Sequence, residues 1–229
     1  MPNARLFRNW SSSLALLLLL TPASFSSASE VLVRAEFETD VVGAMARPGG
    51  PPTVEEEVYD ASNTTEGVSA VEEYLGGKRY RLSDVGSGGG VRAIRLPLSR
   101  DVSLGRVTLK ATVSAGQIGN GGGLALVRPD EEEWIAHVAF GAGGTFRVHG
   151  SATTFTYAPG VSYCVDATVT FGSPTTVDYT ITDLSDPMRV LHLDNCPVAG
   201  QPVARVLRYS TAVAADGSFS IDDVEVGAE

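Results

Sequence analysis

The sequence predicts an all-β protein folded as a β-sandwich of two antiparallel sheets. Three observations carry this. Apolar and polar residues alternate in short runs along most of the chain, which is the period of a strand with one buried face. The runs are punctuated by Gly, Pro, Asn, Asp and Ser, with 25 glycines and 12 prolines in 229 residues, and these are turn formers. Helical periodicity is nearly absent, and strands at near-regular spacing with turns between them belong to sandwiches.

The elements follow in order. "VLVRAEFE" (31–38) is the first strand. Residues 43–77 are rich in Pro, Gly and Glu and carry the weakest pattern, with one short helix expected in "TTEGVSAVEEYLG" (64–76). "KRYRLSD" (78–84) and "VRAIRLPL" (91–98) flank a glycine turn. "GRVTLKATVSA" (105–115) sets Val107, Leu109, Ala111 and Val113 against Arg106, Thr108, Lys110 and Thr112, a half-buried antiparallel strand. "GGLALVRPDEEEWIAHVAFG" (122–141) reads as a hairpin with "RPDEEE" at its tip, followed by "GTFRVHG" (144–150). "SYCVDATVTFG" (162–172), "TVDYTITDL" (176–184), "MRVLHLDN" (188–195), "VARVLRYS" (203–210) and "GSFSIDDVEV" (217–226) complete the set.

The N-terminus reads as a secretory signal peptide. Arg5 and Arg8 precede an apolar run from Leu14 to Leu20, and Ser26 and Ala28 are spaced as a cleavage pair. The run is too short for a membrane span, and no other stretch is long enough. Residues 1–28 are therefore expected to be removed, leaving 29–229 as one sandwich domain of a secreted or periplasmic protein. The formal net charge of −10 repels phosphate backbones and argues against a nucleic-acid partner. In an exported chain, Cys164 and Cys196 are expected to form a disulfide worth about 3–4 kcal/mol.

The last strand breaks its own pattern. Phe219 and Ile221 are apolar at odd positions, Val224 and Val226 at even ones, and Asp222 and Asp223 stand between. Burying both apolar pairs requires an extra residue, as in a β-bulge, unless the strand is covered on both faces. Either arrangement draws one carboxylate inward. A buried carboxylate needs an arginine, backbone donors or a cation. Calcium takes six to eight oxygen ligands and suits such a place. The "EFETD" of the first strand supplies more acids if the chain ends pair.

"AEFETDVVGA", "YRLSD", "GRVTLKATVSA", "TYAPGVSYCVDATV", "VDYTITD" and the terminal "SFSIDDVEV" resemble the laminin-G-like, concanavalin-A-like jelly-roll domains of bacterial secreted proteins. The resemblance covers most of 31–226. It implies a jelly-roll sandwich and a structural calcium joining Glu38 of the first strand to Asp222 or Asp223 of the last. It also implies recognition of a glycan or extracellular polysaccharide. Sugar rings stack on aromatic faces, and their hydroxyls bond to charged and amide groups. Trp134, His137, Arg147 and Tyr157 are the candidates for one such face.

Catalytic signatures are missing. Neither "VEEEVYD" (54–60) nor "RPDEEEW" (128–134) has the E-x-D-x-x-E spacing of a laminarinase-type site, which needs two carboxylates about 5 Å apart. Gln117 and Ile118 are followed by Gly119 where a lyase-type Q-I-H strand has histidine. G-x-S-x-G is absent. The expectation is a non-catalytic carbohydrate-binding module. The alternatives are a structural or adhesive module that binds extracellular protein and a divergent polysaccharide lyase or glycosidase.

Overall fold

The computed structural model describes residues 30–38, 40–43, 55–59, 67–84, 91–119, 122–128, 134–149, 151–200, 202–211 and 217–229. The signal-peptide segment and the "DEEE" of the hairpin tip lie outside these. The described residues form two antiparallel sheets with one 3-10 turn, the jelly-roll-like sandwich that the sequence predicts. Among them, no helix is long and apolar enough to cross a membrane.

The strands are β1 (Glu30–Ala35), β2 (Glu55–Tyr59), β3 (Gly67–Tyr74), β4 (Gly77–Asp84), β5 (Val91–Val102), β6 (Arg106–Ala115), β7 (Gly123–Val127), β8 (Trp134–Phe140), β9 (Thr145–Val148), β10 (Ser151–Thr156), β11 (Ser162–Thr170), β12 (Thr175–Asp183), β13 (Val190–Val198), β14 (Ala204–Ser210) and β15 (Gly217–Ala228). One sheet has the order β13-β12-β11-β6-β15-β4-β3, with β1 also on β15; the other runs β10-β9-β8-β7-β14-β5-β2. Alternation sets the faces. Along β6, Val107, Leu109, Ala111 and Val113 are buried while Arg106, Thr108 and Lys110 are exposed. β11 and β12 repeat the pattern, and one apolar core runs between the sheets.

Two expectations are corrected. Residues 67–74 of the expected helix are β3, paired with β4 from Gly67↔Asp84 to Tyr74↔Gly77. Pairing with β4 overrides the weak helical pattern of "VSAVEEYL". The Cys164–Cys196 disulfide does not form, and both cysteines are free. Cys164 on β11 pairs with Thr182 and Cys196 on β13 with Val177, so β12 lies between them. Two strand spacings are about 9.6 Å, beyond the roughly 7 Å that a bridge can span between Cα atoms. The side chains also face opposite ways. Cys196 packs on the core, whereas the Cys164 thiol points to Asp166 Oδ2 at 3.6 Å on the outer face. A thermal melt with and without dithiothreitol is therefore expected to give the same midpoint. A drop of more than about 5 °C under reductant would restore the bridge.

Candidate functional site

The broken pattern of β15 marks a change of partner. Its first half pairs with β4, from Gly217↔Asp84 to Ile221↔Tyr80. Its second half pairs with β1, from Val224↔Ala35 to Ala228↔Glu30. β6 runs along the other side throughout, with Asp222 opposite Thr112 and Glu225 opposite Lys110. β15 thus takes three steps where β6 takes two, and the extra residue is a bulge. Asp223 absorbs it at φ +48°, a left-handed conformation that Asp tolerates better than most residues. As a result Phe219, Ile221, Val224 and Val226 are all buried on one face. Asp222 and Asp223 are left at the junction of β15, β4 and β1.

The same junction is tied from the β1 side. Glu38 follows β1, and its Oε1 accepts the Lys78 backbone N–H at 2.9 Å. Lys78 Nζ donates to the carbonyls of Glu38 at 2.8 Å and Asp40 at 2.7 Å. Asp222 Oδ1 accepts the Asp223 N–H at 2.9 Å, and Thr112 Oγ1 donates to Asp223 Oδ2 at 3.5 Å. Burial, the neighbouring Asp223 and Glu38 charges push the Asp222 carboxyl up to about 6, against the Asp223 N–H and Arg79. The three acids expected to share calcium are therefore neighbours. No group of three His, Cys, Asp or Glu side chains among the described residues is placed to hold a metal ion, and Glu38 is held to Lys78.

A groove of about 460 Å³ opens beside Asp222 on the outer face of this sheet. Its floor carries Thr112, Ser114 and Ser220, outward positions of β6 and β15. A charged cluster frames it. Arg79 Nε donates to Glu72 Oε1 at 2.6 Å and Nη1 to Ser114 Oγ at 3.0 Å. Ser220 Oγ donates to Glu72 Oε1 at 3.1 Å, and Arg81 pairs with Glu72 Oε2 at 3.4 Å. The Arg79 guanidinium lies 3.6 Å from the centre of the Tyr74 ring, a cation–π contact. Tyr74 reaches over to the β10–β11 turn, where its hydroxyl donates to Gly160 O at 3.1 Å. The lips are apolar: Leu75, at φ +50° on the β3–β4 hairpin, is 89% exposed, and Leu184 after β12 is 48% exposed. The sequence reading missed Tyr74, Arg79 and Glu72. Their signal lay in the pairing of "VEEY" with "KRYR", which the helix assignment hid.

The opposite sheet carries the expected aromatic site in part. A register shift between β7 and β8 sets Trp134 opposite Val127 and His137 opposite Ala125. Ile135, Ala136 and Val138 enter the core, so Trp134 and His137 share the outer face. Their rings are 3.9 Å apart; Trp134 is 47% exposed and His137 is buried. Arg147 of β9 sits opposite Ala139 on the same face. Burial, then the His149 and Arg147 charges, lowers the His137 imidazole to about 4. Arg95 of β5 faces Arg208 of β14 in the same row, a pair the sequence reading also missed. Their signal was an arginine at the outward phase of both "VRAIRLPL" and "VARVLRYS".

Tyr157 does not join this face. It is buried in the core against Phe140 and Phe146, and its hydroxyl lies 2.9 Å from Gly119 O and 3.0 Å from Gly141 O. Its place after β10 directs the ring inward, where those carbonyls satisfy the hydroxyl.

No family model matches the chain, and no curated protein matches its sequence. Solved structures share the fold. A sialidase superposes with a TM-score of 0.57 at 13% identity, over 86% of this chain and 18% of the sialidase. This chain thus spans under a fifth of that protein. More distant are alginate lyase Aly36B in complex with alginate tetrasaccharide (TM-score 0.48, 11% identity, 87% and 97% covered) and the Emp46p carbohydrate recognition domain (TM-score 0.46, 13% identity, 75% and 87% covered). At these identities the likeness is one of fold.

Proposed function

We propose that this is a secreted, non-catalytic glycan-binding module whose ligand sits in the groove beside Asp222. The observation that carries the reading is a half-buried carboxylate set among serine and threonine hydroxyls in an open groove with apolar lips. Its volume falls in the range of small-ligand sites. A carboxylate in such a place accepts hydroxyl donors in charge-assisted hydrogen bonds, which are about twice as strong as neutral ones. Sugar hydroxyls supply them, while the C–H faces of the ring rest on Leu75 and Leu184. Trp134 offers a second aromatic surface on the opposite sheet.

Native affinity electrophoresis through a panel of polysaccharides tests this. Retardation is expected in at least one gel, lost in Asp222→Asn and kept in Trp134→Ala. Loss in Trp134→Ala alone moves the ligand to the opposite sheet. No retardation in any gel overturns the glycan reading. It then favours an adhesive module, for which the exposed Leu75, Leu184 and Met188 supply a protein-binding edge.

A further inference from the structure

We infer that the groove beside Asp222 selects glycans bearing a free amine, with the ammonium seated against Asp222 and Asp223. This rests on the reading of the groove as a glycan site and adds the class of sugar. The basis is the charge balance of the groove together with its shape.

The charged groups packed around Asp222 come from every neighbouring strand, and their partners are specific. Asp223 lies on the same strand, and Glu38 pushes from the end of β1. From β4, Arg79 is the nearest cation, but its guanidinium is committed to Glu72, Ser114 and the Tyr74 ring. Lys78 is committed to the carbonyls of Glu38 and Asp40. From β6, Lys110 stands opposite Glu225, itself bonded to Arg34. Arg189, which does not line the groove, is held by Asp183 at 2.7 Å. Asp223 keeps only the long Thr112 contact, and Asp222 only the Asp223 N–H, among the bonds described. The groove therefore presents two carboxylates beside Arg79 and Lys78, which are engaged elsewhere, with Lys110 set in register between Glu225 and Asp166. A uronic or sialic acid carboxylate meets repulsion here, and a neutral sugar leaves the carboxylates partly unmatched. An ammonium on the ring gives each a charge-assisted partner.

Isothermal titration of the purified protein at pH 6.5 tests this with three probes: fully deacetylated glucosamine tetramer, its N-acetylated counterpart, and cellotetraose. At least tenfold tighter binding of the deacetylated tetramer is expected. The preference should fade as pH falls through about 6, where Asp222 takes up a proton, and as pH rises through the amine's own titration, where the ammonium is lost. An acidic chain attracts any polycation, but removing one of its 27 acids barely changes that general attraction. Asp222→Asn, or Asp223→Asn as an independent variant, is therefore expected to abolish the preference. Equal binding of all three probes, or a preference that survives both variants, overturns the amine selection and leaves the glycan reading standing. Binding of none of the three, together with no retardation across the polysaccharide panel, overturns both.

Discussion

Deletion of Val224 is expected to abolish cooperative folding, whereas deletion of its neighbour Asp223 leaves a folded protein. The two deletions shorten β15 by the same amount and differ only in what they place inward. Without Asp223 the strand reads Phe219, Ser220, Ile221, Asp222, Val224, Glu225, Val226, an unbroken alternation. Each apolar residue keeps its core position, and Asp222 and Glu225 keep theirs opposite Thr112 and Lys110. The left-handed residue is also removed, which relieves about 1 kcal/mol. Without Val224, the same register brings the Asp223 carboxylate to the core position opposite Ala35, where Val224 is fully buried. The lost burial costs about 1.5–3 kcal/mol, and the buried charge several more. Against a typical total of 5–15 kcal/mol this is most or all of the stability. Urea titration followed by tryptophan fluorescence would show one sigmoid for the Asp223 deletion and none for the Val224 deletion. If both lose their transition, the bulge is needed for folding and not for the groove.

That contrast also explains which parts of the molecule were legible in the sequence. The bulge was, because a switch in a period-2 pattern has few physical solutions once both apolar pairs are buried. The pairing of the chain ends entered only as a condition and through the resemblance, and β1 does pair with β15. Most of the strands were visible because their outer faces are wet and the alternation is clean, as in β6, β11 and β12. β3 was not. Its "VSAVEEYL" spaces Val68, Val71 and Leu75 as a helix does, and only pairing with β4 decides between the two. That error propagated to the site, since Glu72 and Tyr74 come from β3 and give the groove its charged frame and its cover.

The cysteines and Tyr157 failed for a different reason. Compartment chemistry says that two exported cysteines tend to pair, but not that one intervening strand and opposite faces keep them apart. Tyr157 was grouped with Trp134, His137 and Arg147 on strands that could share one face, whereas its hydroxyl is held inward by the carbonyls of Gly119 and Gly141, which sequence spacing does not reveal. Trp134, His137 and Arg147 do share a face, because the β7–β8 register shift restores Trp134 to the outward phase.

Replacing Asp222 by Asn is expected to stabilise the protein at pH 8 while removing ligand binding. The Asp222 carboxyl titrates at about 6 in the folded state against an ordinary value of 3.8, chiefly through burial, with Asp223 and Glu38 adding repulsion. A raised carboxylate pKa means that the folded state binds the proton more tightly than the unfolded one. Stability therefore falls as pH rises from about 4 to about 6, and the full penalty is present above that. The shift corresponds to a little under 3 kcal/mol if taken whole, and to about 1–2 kcal/mol once solvent screening of a half-exposed group is allowed for. Asparagine keeps the oxygen that accepts the Asp223 N–H and carries no charge, so it lifts the penalty without opening a cavity. The midpoint should rise by about 2–6 °C at pH 8, with the gain shrinking as pH falls from 6 and vanishing below 4. A gain of equal size at every pH would assign the effect to packing, and a loss at pH 8 would show the charge to be favourably paired. A carboxylate that destabilises its own fold at the mouth of a groove is the pattern expected where binding, and not stability, holds the residue in place.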